Sequence, residues 1–324
     1  MPYLSRRLLL AAPALLALPA HAQPAWPNRP IRMMVGSASG GSADFTARLL
    51  ANRLGELLGQ SVVVENRGGA GGSLAIEPVL RAAPDGHTLV INNMGALLIN
   101  PLIQNQSPAQ QPMEALEPVS LVADVLTVLV TPAERPWRDF PALVAAAREK
   151  PGALSWGHPS VGSSPWLAAL LLNQVAGIRT IGVPYRGGGP AMLDMLAGRL
   201  DFMFATTPTC FPHIQSGKLR ALAVPVPQRL PQLPEVPSVA ESGFPGFEVR
   251  GWFAVMATKG TPAPIIRRLN AAINQVMAEP EAAAKLAEQG MAPLQSSTEE
   301  FIRIARAERE KWGPIAMLAN RGQE

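Results

Sequence analysis

The sequence lacks most of the features that would assign a protein to a chemical class. A single cysteine, Cys210, among 324 residues excludes a disulfide framework within the chain and a metal site built from cysteines. Aromatic residues make up 5% of the chain and no cluster of Lys and Arg is interleaved with them, so nucleic acid is not an expected partner. The serine-nucleophile elbow G-x-S-x-G, the zinc motif H-E-x-x-H and the phosphate-loop motif G-K-[ST] are missing. We therefore expect no metal and no cofactor, and no pair of nucleophile and base points to an enzyme.

The first 22 residues have the pattern of a secretory signal peptide. Arg6 and Arg7 precede an apolar run from Leu8 to Ala20, and Ala20-His21-Ala22 has the spacing of a cleavage site. The run is shorter than the about 20 residues that a membrane-spanning helix needs, which favours a cleaved signal over an anchor. We expect cleavage after about Ala22 and export to the periplasm, by either the Sec or the twin-arginine route. Loss of the two arginines lowers the formal net charge of +4, so the chain is not strongly basic.

Short apolar strands alternate with Gly- and Ser-containing loops and helices along the mature chain. The first unit has the strand Ile31–Val35, a loop over Gly36–Asp44 and a helix with a stripe of leucines that ends at Gly59. Comparable strands are expected at 62–64, 88–91, 154–156, 180–183 and 202–204. This alternation predicts an α/β architecture with largely parallel sheets.

Two proline-rich stretches interrupt this pattern and are the candidate crossings between domains. Asn100–Glu117 has the composition of a surface excursion, and Pro225–Phe247 is irregular. Between them, Val119–Val122 and Leu126–Val130 are expected to form two strands that are separated by Asp124. We therefore expect a signal peptide over 1–22, a first domain over 23–125 and 248–324, and a second domain over 126–247.

The Gly/Ser loops are the recurrent feature with a chemical meaning. The N-terminus of a helix presents free N–H groups and the positive end of the helix dipole, and glycine lets an anion approach the backbone. Several such loops at one sheet edge would bind a carboxylate without an arginine. The alternative is structural, because any α/β protein uses Gly and Ser at such turns, but the number of loops in one exported chain favours ligand binding. His158 is expected at a surface turn rather than in a pocket, and Cys210 as a small buried hydrophobe.

A series of short sequence blocks follows in a characteristic order: Val35–Arg48, Val63–Gly72, Ala83–Leu89, Val161–Pro165, Val183–Gly188, Gly217–Val224, Pro237–Glu241 and Gly260–Pro262. In content and order these blocks resemble the substrate-binding proteins of tripartite tricarboxylate transporters, the Bug-type family, over essentially all of the mature chain. The resemblance implies an α/β fold of the two-domain periplasmic binding protein type (type II-like). Each domain would be a mixed, mostly parallel sheet flanked by helices, with the ligand in the cleft between the domains.

The function implied by the resemblance is capture of a small organic carboxylate in the periplasm and its delivery to the membrane subunits of a tripartite uptake system. We expect a monomer that is not an enzyme. Two alternatives are an exported two-domain α/β enzyme that acts on a carboxylate, and a ligand-sensing partner of a signalling system. The missing nucleophile–base pair argues against the enzyme, and the intact Gly/Ser loops argue against a partner that has lost ligand binding.

By the same likeness, the expected ligand-binding residues lie in four loops that line the cleft and in two positions where the chain departs from the family. They are Ser37, Ser39, Gly40, Gly41, Ser42, Asp44, Asn93, Ser160, Gly162, Ser163, Ser164, Trp166, Tyr185, Gly187, Ala205 and Thr206. Backbone N–H groups are expected to hold the carboxylate oxygens at Gly40, Gly41, Gly162 and Ser163, beside the hydroxyls of Ser42 and Ser164. Asp44 would either orient a water molecule or cap the helix at Phe45.

The two departures bear on the identity of the ligand. The family commonly has His where this chain has Trp166, and Asp-Asn where it has Ala205-Thr206. If Trp166 and Ala205 face the cleft, the pocket packs an apolar body and has no acid for an ammonium group. That reading predicts a carboxylate without an amine and more apolar than citrate. If both side chains point into the core, the inference has no basis.

Overall fold

The computed structural model describes residues 26–104 and 111–321, so the expected signal peptide and its cleavage site lie outside the described residues. The strands are β1 (Ile31–Val35), β2 (Val62–Asn66), β3 (Thr88–Asn93), β4 (Leu116–Val125), β5 (Thr127–Pro132), β6 (Ser155–His158), β7 (Ile181–Pro184), β8 (Met203–Thr206), β9 (Leu219–Ala223), β10 (Gly251–Thr258) and β11 (Met291–Pro293). The α-helices are α1 (Ser42–Leu58), α2 (Ile76–Leu80), α3 (Asn100–Gln104), α4 (Pro112–Ala115), α5 (Phe140–Glu149), α6 (Ser164–Ala176), α7 (Gly188–Leu196), α8 (Thr207–Gln215), α9 (Ala263–Ala278), α10 (Pro280–Glu288) and α11 (Thr298–Arg321). A 3-10 turn over Ala70–Ala75 precedes α2, and a π-helical turn over Gly95–Ile99 leads into α3.

Six strands form the larger sheet, in the order β11-β4-β10-β3-β1-β2. Strand β1 is parallel to β2 and β3, whereas β10 is antiparallel to β3 and β4, and β11 is antiparallel to β4. Helices α1 and α9 cover one face of this sheet with fully buried leucine and isoleucine side chains, among them Leu50, Leu54, Leu269 and Ile273. Burial of this apolar stripe is the reason that α1 forms, and it confirms the predicted helix.

Helix α1 also ends where the sequence predicts. Gly59 has a left-handed backbone with φ 73°, and its N–H donates to the Gly55 carbonyl at 3.0 Å. Glycine adopts this conformation without the steric cost of a Cβ, so it closes the helix and turns the chain into β2.

The second group of strands lies around β5, which is antiparallel to both β8 and β9. Strands β6 and β7 form a parallel pair, and a bridge between Trp156 and Phe202 sets β6 beside the start of β8. The chain changes sheet at Leu126, between β4 and β5, and returns over the irregular segment 224–250 to β10. The protein therefore has the expected two-domain α/β fold with mixed sheets.

The strand directions differ in one respect from the prediction of mostly parallel sheets. Antiparallel pairings outnumber parallel ones among the described strands, because β5 and β10 each lie between two antiparallel neighbours. The alternation of strand and helix holds for β1 to β3 and for β6 to β8. It does not hold where β4 continues almost directly into β5.

Two local predictions in the middle of the chain are wrong. Asp124 does not separate two strands but lies inside β4, opposite Trp252 of β10, and the break falls at Leu126. Asn100–Glu117 is not a surface excursion in its described parts, because α3, α4 and the start of β4 are formed there and Asn100 and Leu116 are buried. No helix within residues 26–104 and 111–321 combines the length and the apolar character needed to cross a membrane.

Candidate functional site

The loop after β1, residues 36–41, is called the first loop and is held in place by two asparagines. Asn92 of β3 donates from Nδ2 to the Gly72 carbonyl at 2.9 Å, and its side chain occupies the space that a Cβ at Gly36 would need. Asn66, at the end of β2, donates to the Ser37 carbonyl at 3.2 Å. The backbone of the first loop is therefore fixed against β2 and β3, while Ser37, Ser39 and Gly40 remain partly or fully exposed.

Asp44 fixes the same loop from inside. The residue is 4% exposed, and its carboxylate accepts hydrogen bonds from the Gly40 N–H at 2.9 Å and from Arg48 Nε at 3.1 Å. Burial opposes ionisation, but the hydrogen bonds from Arg48, Gly40 and Asn66 outweigh it, so the pKa of Asp44 lies below its usual value. The Phe45 N–H donates instead to the Gly41 carbonyl at 2.9 Å. Of the two roles expected for Asp44, the cap at Phe45 is therefore wrong. The Gly40 N–H, which was expected to hold the ligand, is engaged by Asp44.

Helix α1 begins without a side-chain cap. Its N-cap is Gly41, and within the described residues no side chain accepts from the first-turn N–H groups. Helices α7 and α8 begin in the same way, after Gly187 and Thr206. Helix α6 differs, because Ser163 Oγ accepts from the Trp166 N–H at 3.4 Å and donates to the Ser160 carbonyl at 2.7 Å. Ser163 thus acts as a structural cap, whereas the starts of α1 and α7 leave backbone donors available to an anion. At the start of α8 the Thr207 N–H already donates to the Leu126 carbonyl at 3.2 Å, and Pro208 has no N–H.

The loops after β6 and β7 are tied to each other. The Tyr185 N–H donates to the His158 carbonyl and the Gly187 N–H donates to the Pro159 carbonyl, both at 3.0 Å. The Tyr185 hydroxyl donates to Asp194 of α7 at 2.7 Å, and burial together with this hydrogen bond raises the pKa of Tyr185 to about 12. The hydroxyl and the Gly187 N–H are therefore occupied, which leaves the partly exposed ring of Tyr185 as the part of this loop that a ligand can reach.

The starts of α7 and α8 lie side by side. A Cβ at Gly188 would lie 3.4 Å from Thr209 Cγ2, and the hydroxyls of Thr206 and Thr209 are 3.1 Å apart. Across from them, the loop 159–163 touches the turn after β3, where a Cβ at Gly95 would lie 2.6 Å from the Gly162 carbonyl oxygen. The predicted site residues thus form two groups, one after β1 and β3 and one after β6 to β8, that meet at Gly95 and Gly162.

His158 is not at the surface. It is 1% exposed at the end of β6, with its ring centroid 5.1 Å from that of Trp156 and 6.5 Å from that of Trp166. Burial lowers its pKa to about 4, so the ring is neutral at physiological pH. The surface-turn interpretation failed because the Gly/Ser/Pro composition after His158 masks the burial of the strand that carries it.

Trp166 and Ala205 belong to the core. Each is 1% exposed; Trp166 packs in the cluster that contains Trp156 and Phe204, and Ala205 in the cluster around Val128. The structure therefore supports the alternative in which both side chains point inward, and the ligand argument based on them has no support. Cys210 is fully buried in the same cluster as Ala205, as predicted, and burial raises the pKa of its thiol.

One residue that the sequence did not indicate joins the two groups of loops. Asn100, 2% exposed at the start of α3, donates from Nδ2 to the Gly71 carbonyl at 3.3 Å, and its Oδ1 lies against Gly162. Asn93, which was expected in the site, accepts from the Ala96 N–H at 2.9 Å and shapes the turn that carries Gly95. A buried asparagine beside glycines is a weak signal in a sequence, because it is indistinguishable from a polar residue in a loop.

Comparison with known proteins gives a consistent family assignment. Residues 46–320 match the model of the tripartite tricarboxylate transporter family receptor. Protein BugT of Bordetella pertussis is 36% identical over 307 residues, which cover 95% of this chain and 94% of BugT. Among solved structures, Rpa4515 of R. palustris with adipate superimposes with a TM-score of 0.85 at 33% identity, covering 90% of this chain and 97% of that one. MatC (Rpa3494) of Rhodopseudomonas palustris with bound malate gives a TM-score of 0.82 at 30% identity, with 90% and 99% covered.

The match to the family model spans most of the chain, and relatives more than 30% identical are covered over nearly their whole length. The chain belongs to the tripartite tricarboxylate transporter family of receptors.

Proposed function

We propose that this protein is a periplasmic receptor that binds a small organic carboxylate between two lobes and delivers it to the membrane subunits of a tripartite transporter. The observation that carries the proposal is the uncapped start of α1 after Gly41. Such a helix start stabilises an anion through its N–H groups and its dipole. Adipate and malate, bound in the two Rhodopseudomonas structures, are both dicarboxylates, which supports a small carboxylate as the ligand of this chain.

The lobes of this proposal follow the two sheets. Lobe I comprises residues 23–125 and 248–324, and lobe II comprises residues 126–247. The change of sheet between Val125 and Thr127 and the return before Gly251 support these limits. The mature protein begins after about Ala22 and acts as a monomer.

Asp44 supports anion binding although it is an acid. Its negative charge lies under the first loop, but Arg48 Nε is 3.0 Å from Asp44 Oδ1 and offsets that charge. Its Oδ2 accepts from the Gly40 N–H and from Arg48 Nε, so the carboxylate holds the loop in shape. A preformed loop avoids the entropy cost of ordering it on binding.

The ion pair between Asp44 and Arg48 also indicates which class of carboxylate this protein binds. Asp44 is the sole acidic residue among the expected ligand-binding residues, and it is buried and ion-paired. An ammonium group in the cleft would meet there a carboxylate that is already paired with Arg48, and burial of an ammonium group without a partner is costly. We therefore expect carboxylates without an amine to bind more tightly than the corresponding amino acids.

Isothermal titration with matched pairs of acids tests both parts of the proposal. Adipate is compared with 2-aminoadipate and succinate with aspartate, and adipamide serves as a control that keeps the length of adipate without its charge. The acids without an amine should bind and adipamide should not. Tighter binding of 2-aminoadipate or aspartate would contradict the class of ligand. Equal binding of adipamide and adipate would contradict recognition of the carboxylate.

A further inference from the structure

Helix α6 of lobe II packs against α11 of lobe I, and among the described residues a glycine of lobe I also meets a residue of lobe II closely at three places. At Gly95, a Cβ would lie 2.6 Å from the carbonyl oxygen and 2.8 Å from the carbonyl carbon of Gly162. At Gly251, a Cβ would lie 2.5 Å from Ser164 Oγ and 3.0 Å from Ser164 Cβ. The third contact involves Gly290, where a Cβ would overlap the side chain of Thr207. Real Cβ atoms do not approach other atoms this closely. Each contact is therefore possible only because the residue at that position is a glycine, which has no side chain.

Polar groups mark the same contacts as fixed parts of the structure. Thr207 is fully buried, and its hydroxyl donates towards the carbonyls of Gln289 and Gly290 at 2.9 and 2.8 Å. These carbonyls follow α10 of lobe I, whereas Thr207 begins α8 of lobe II. At the first contact, Asn100 Nδ2 donates to the Gly71 carbonyl, while Asn100 Oδ1 lies against Gly162. The lobes are therefore in direct contact through backbone, hydroxyl and amide groups.

Backbone conformation does not explain the glycines at two of the three positions. Gly290 has φ +65°, a left-handed conformation that favours glycine by itself. Gly95 and Gly251 have no positive φ, so other residues would adopt their conformations without strain. At these two positions the need for glycine arises from the approach of the other lobe.

We propose that Gly95, Gly251 and Gly290 form a glycine seam that sets the separation of the lobes and positions the starts of α6 and α8 against lobe I for ligand capture. This inference rests on the proposed function for its effect on binding, but not for its effect on the separation of the lobes. Gly95 is the most restrictive member of the seam, because its neighbour is backbone, which cannot rotate away as a side chain does. The three glycines are positioning residues and need not touch the ligand.

The separation of the lobes is measured by pulsed electron paramagnetic resonance between two spin labels. Leu74→Cys in lobe I and Leu193→Cys in lobe II supply the labels, since these side chains are 45% and 69% exposed. Cys210 is fully buried with a raised thiol pKa and is left unlabelled. The measurement needs no ligand, so it tests the seam even if no carboxylate binds.

Gly95→Ala and Gly251→Ala are compared with Gly55→Ala, a control inside α1 whose Cβ would lie 3.5 Å from the nearest atom outside its own turn. Gly95→Ala should shift the distance between the labels and weaken binding of the best acid by about tenfold or more, which is about 1.4 kcal/mol. Gly55→Ala should leave both unchanged. An unshifted distance in folded Gly95→Ala would overturn the inference.

Gly251→Ala keeps the test decisive if Gly95→Ala does not fold. Its clash is with the Ser164 side chain, so the double substitution Gly251→Ala with Ser164→Gly removes the clash while it retains the added methyl group. The single substitution should shift the label distance and the double substitution should restore it. A shift that persists in the double variant, or no shift in the single one, would contradict a seam set by side-chain volume.

Discussion

Substitution of Gly41 by valine is expected to abolish carboxylate binding while the fold persists. The backbone at Gly41 is extended, with φ −83° and ψ 169°, which valine adopts without strain. A Cβ there would lie 3.5 Å from the Ala38 carbonyl oxygen and 3.7 Å from Ser37 Oγ, which are ordinary contacts. Because glycine is only a moderately good N-cap, we expect a loss of stability of about 1 kcal/mol or less.

We expect a larger effect on binding, because the valine methyl groups would stand where we propose that the ligand meets the first turn of α1. A hydrogen bond to a charged group contributes about 1.5–3 kcal/mol, so loss of two such bonds costs about 3–6 kcal/mol. Since about 1.4 kcal/mol corresponds to a tenfold change, Kd should rise by a factor of at least about 100. The comparison variant is Arg186→Ala, which removes an exposed arginine next to Tyr185. An exposed ion pair is worth about 0–1 kcal/mol, so its Kd should rise about fivefold at most.

Isothermal titration with the tightest-binding acid, together with thermal unfolding of each variant, separates binding from folding. Retained melting temperature and lost heat of binding for Gly41→Val would agree with recognition by the α1 start. If Arg186→Ala lost affinity as completely as Gly41→Val, the site would be an arginine clamp and the reasoning would be refuted. Unchanged binding by Gly41→Val would refute it equally.

Three further predictions concern the groups that shape the site and the core beneath it. Asp44→Asn should lower the free energy of unfolding at pH 7 by about 1–3 kcal/mol in urea titrations. Because the pKa of Asp44 is lowered in the folded protein, this difference from the unsubstituted protein should shrink as the pH falls below about 4. A difference that does not depend on pH would contradict the ion pair. Burial lowers the pKa of His158 to about 4 in the folded protein, whereas the unfolded chain takes up this proton at about pH 6.5. The free energy of unfolding should therefore decrease as the pH falls from about 6.5 to about 4. Relative to His158→Leu, the unsubstituted protein should lose stability over that interval, and parallel pH curves would show that the ring is not buried. Leu54→Ala, at a fully buried position, should cost about 2–5 kcal/mol in the same assay, whereas an effect below about 1 kcal/mol would contradict the packing of α1 on the larger sheet.

The parts of the fold that could be predicted are those in which local pattern and tertiary packing agree. The leucine stripe of α1, its end at Gly59 and the short strands β1 to β3 all follow from burial of one face or of a whole strand. Strand direction does not follow, because a buried apolar run looks the same in a parallel and an antiparallel pairing. The antiparallel neighbours of β10 come from a segment more than 100 residues earlier in the chain, which no local pattern reports.

Asp124 and Asp44 show why charged residues misled the sequence analysis. Asp124 was expected between strands, but Arg250 Nη1 lies 2.7 Å from its carboxylate and makes a buried position inside β4 tolerable. Burial nevertheless raises the pKa of Asp124, the opposite direction from Asp44. The difference arises because at Asp124 burial, together with the charge of Glu248, outweighs the partner Arg250, which is distant in sequence. Asp44 instead accepts several hydrogen bonds from its own loop and helix. Such partners become visible only in the folded chain.

The Gly/Ser loops were predicted as a set, but the use of each hydrogen-bond donor within them was not. The Gly/Ser composition after β1, β6 and β7 correctly predicted loops that lead into helices. It did not reveal that the Gly40 N–H donates to the Asp44 carboxylate or that Ser163 caps α6. A glycine or serine at a helix start serves equally well as an internal cap and as a ligand donor, so the distinction requires the hydrogen bonds themselves.

The most direct test of the central claim, that the start of α1 holds the ligand carboxylate, is the backbone amide ¹⁵N–¹H spectrum during titration with the tightest-binding acid. The amides of Ser42 and Ala43 lie in the uncapped first turn and should shift downfield in proportion to occupancy, while the Gly40 amide, already bonded to Asp44, should move much less. Saturating ligand that leaves the Ser42 and Ala43 amides unmoved would contradict the claim.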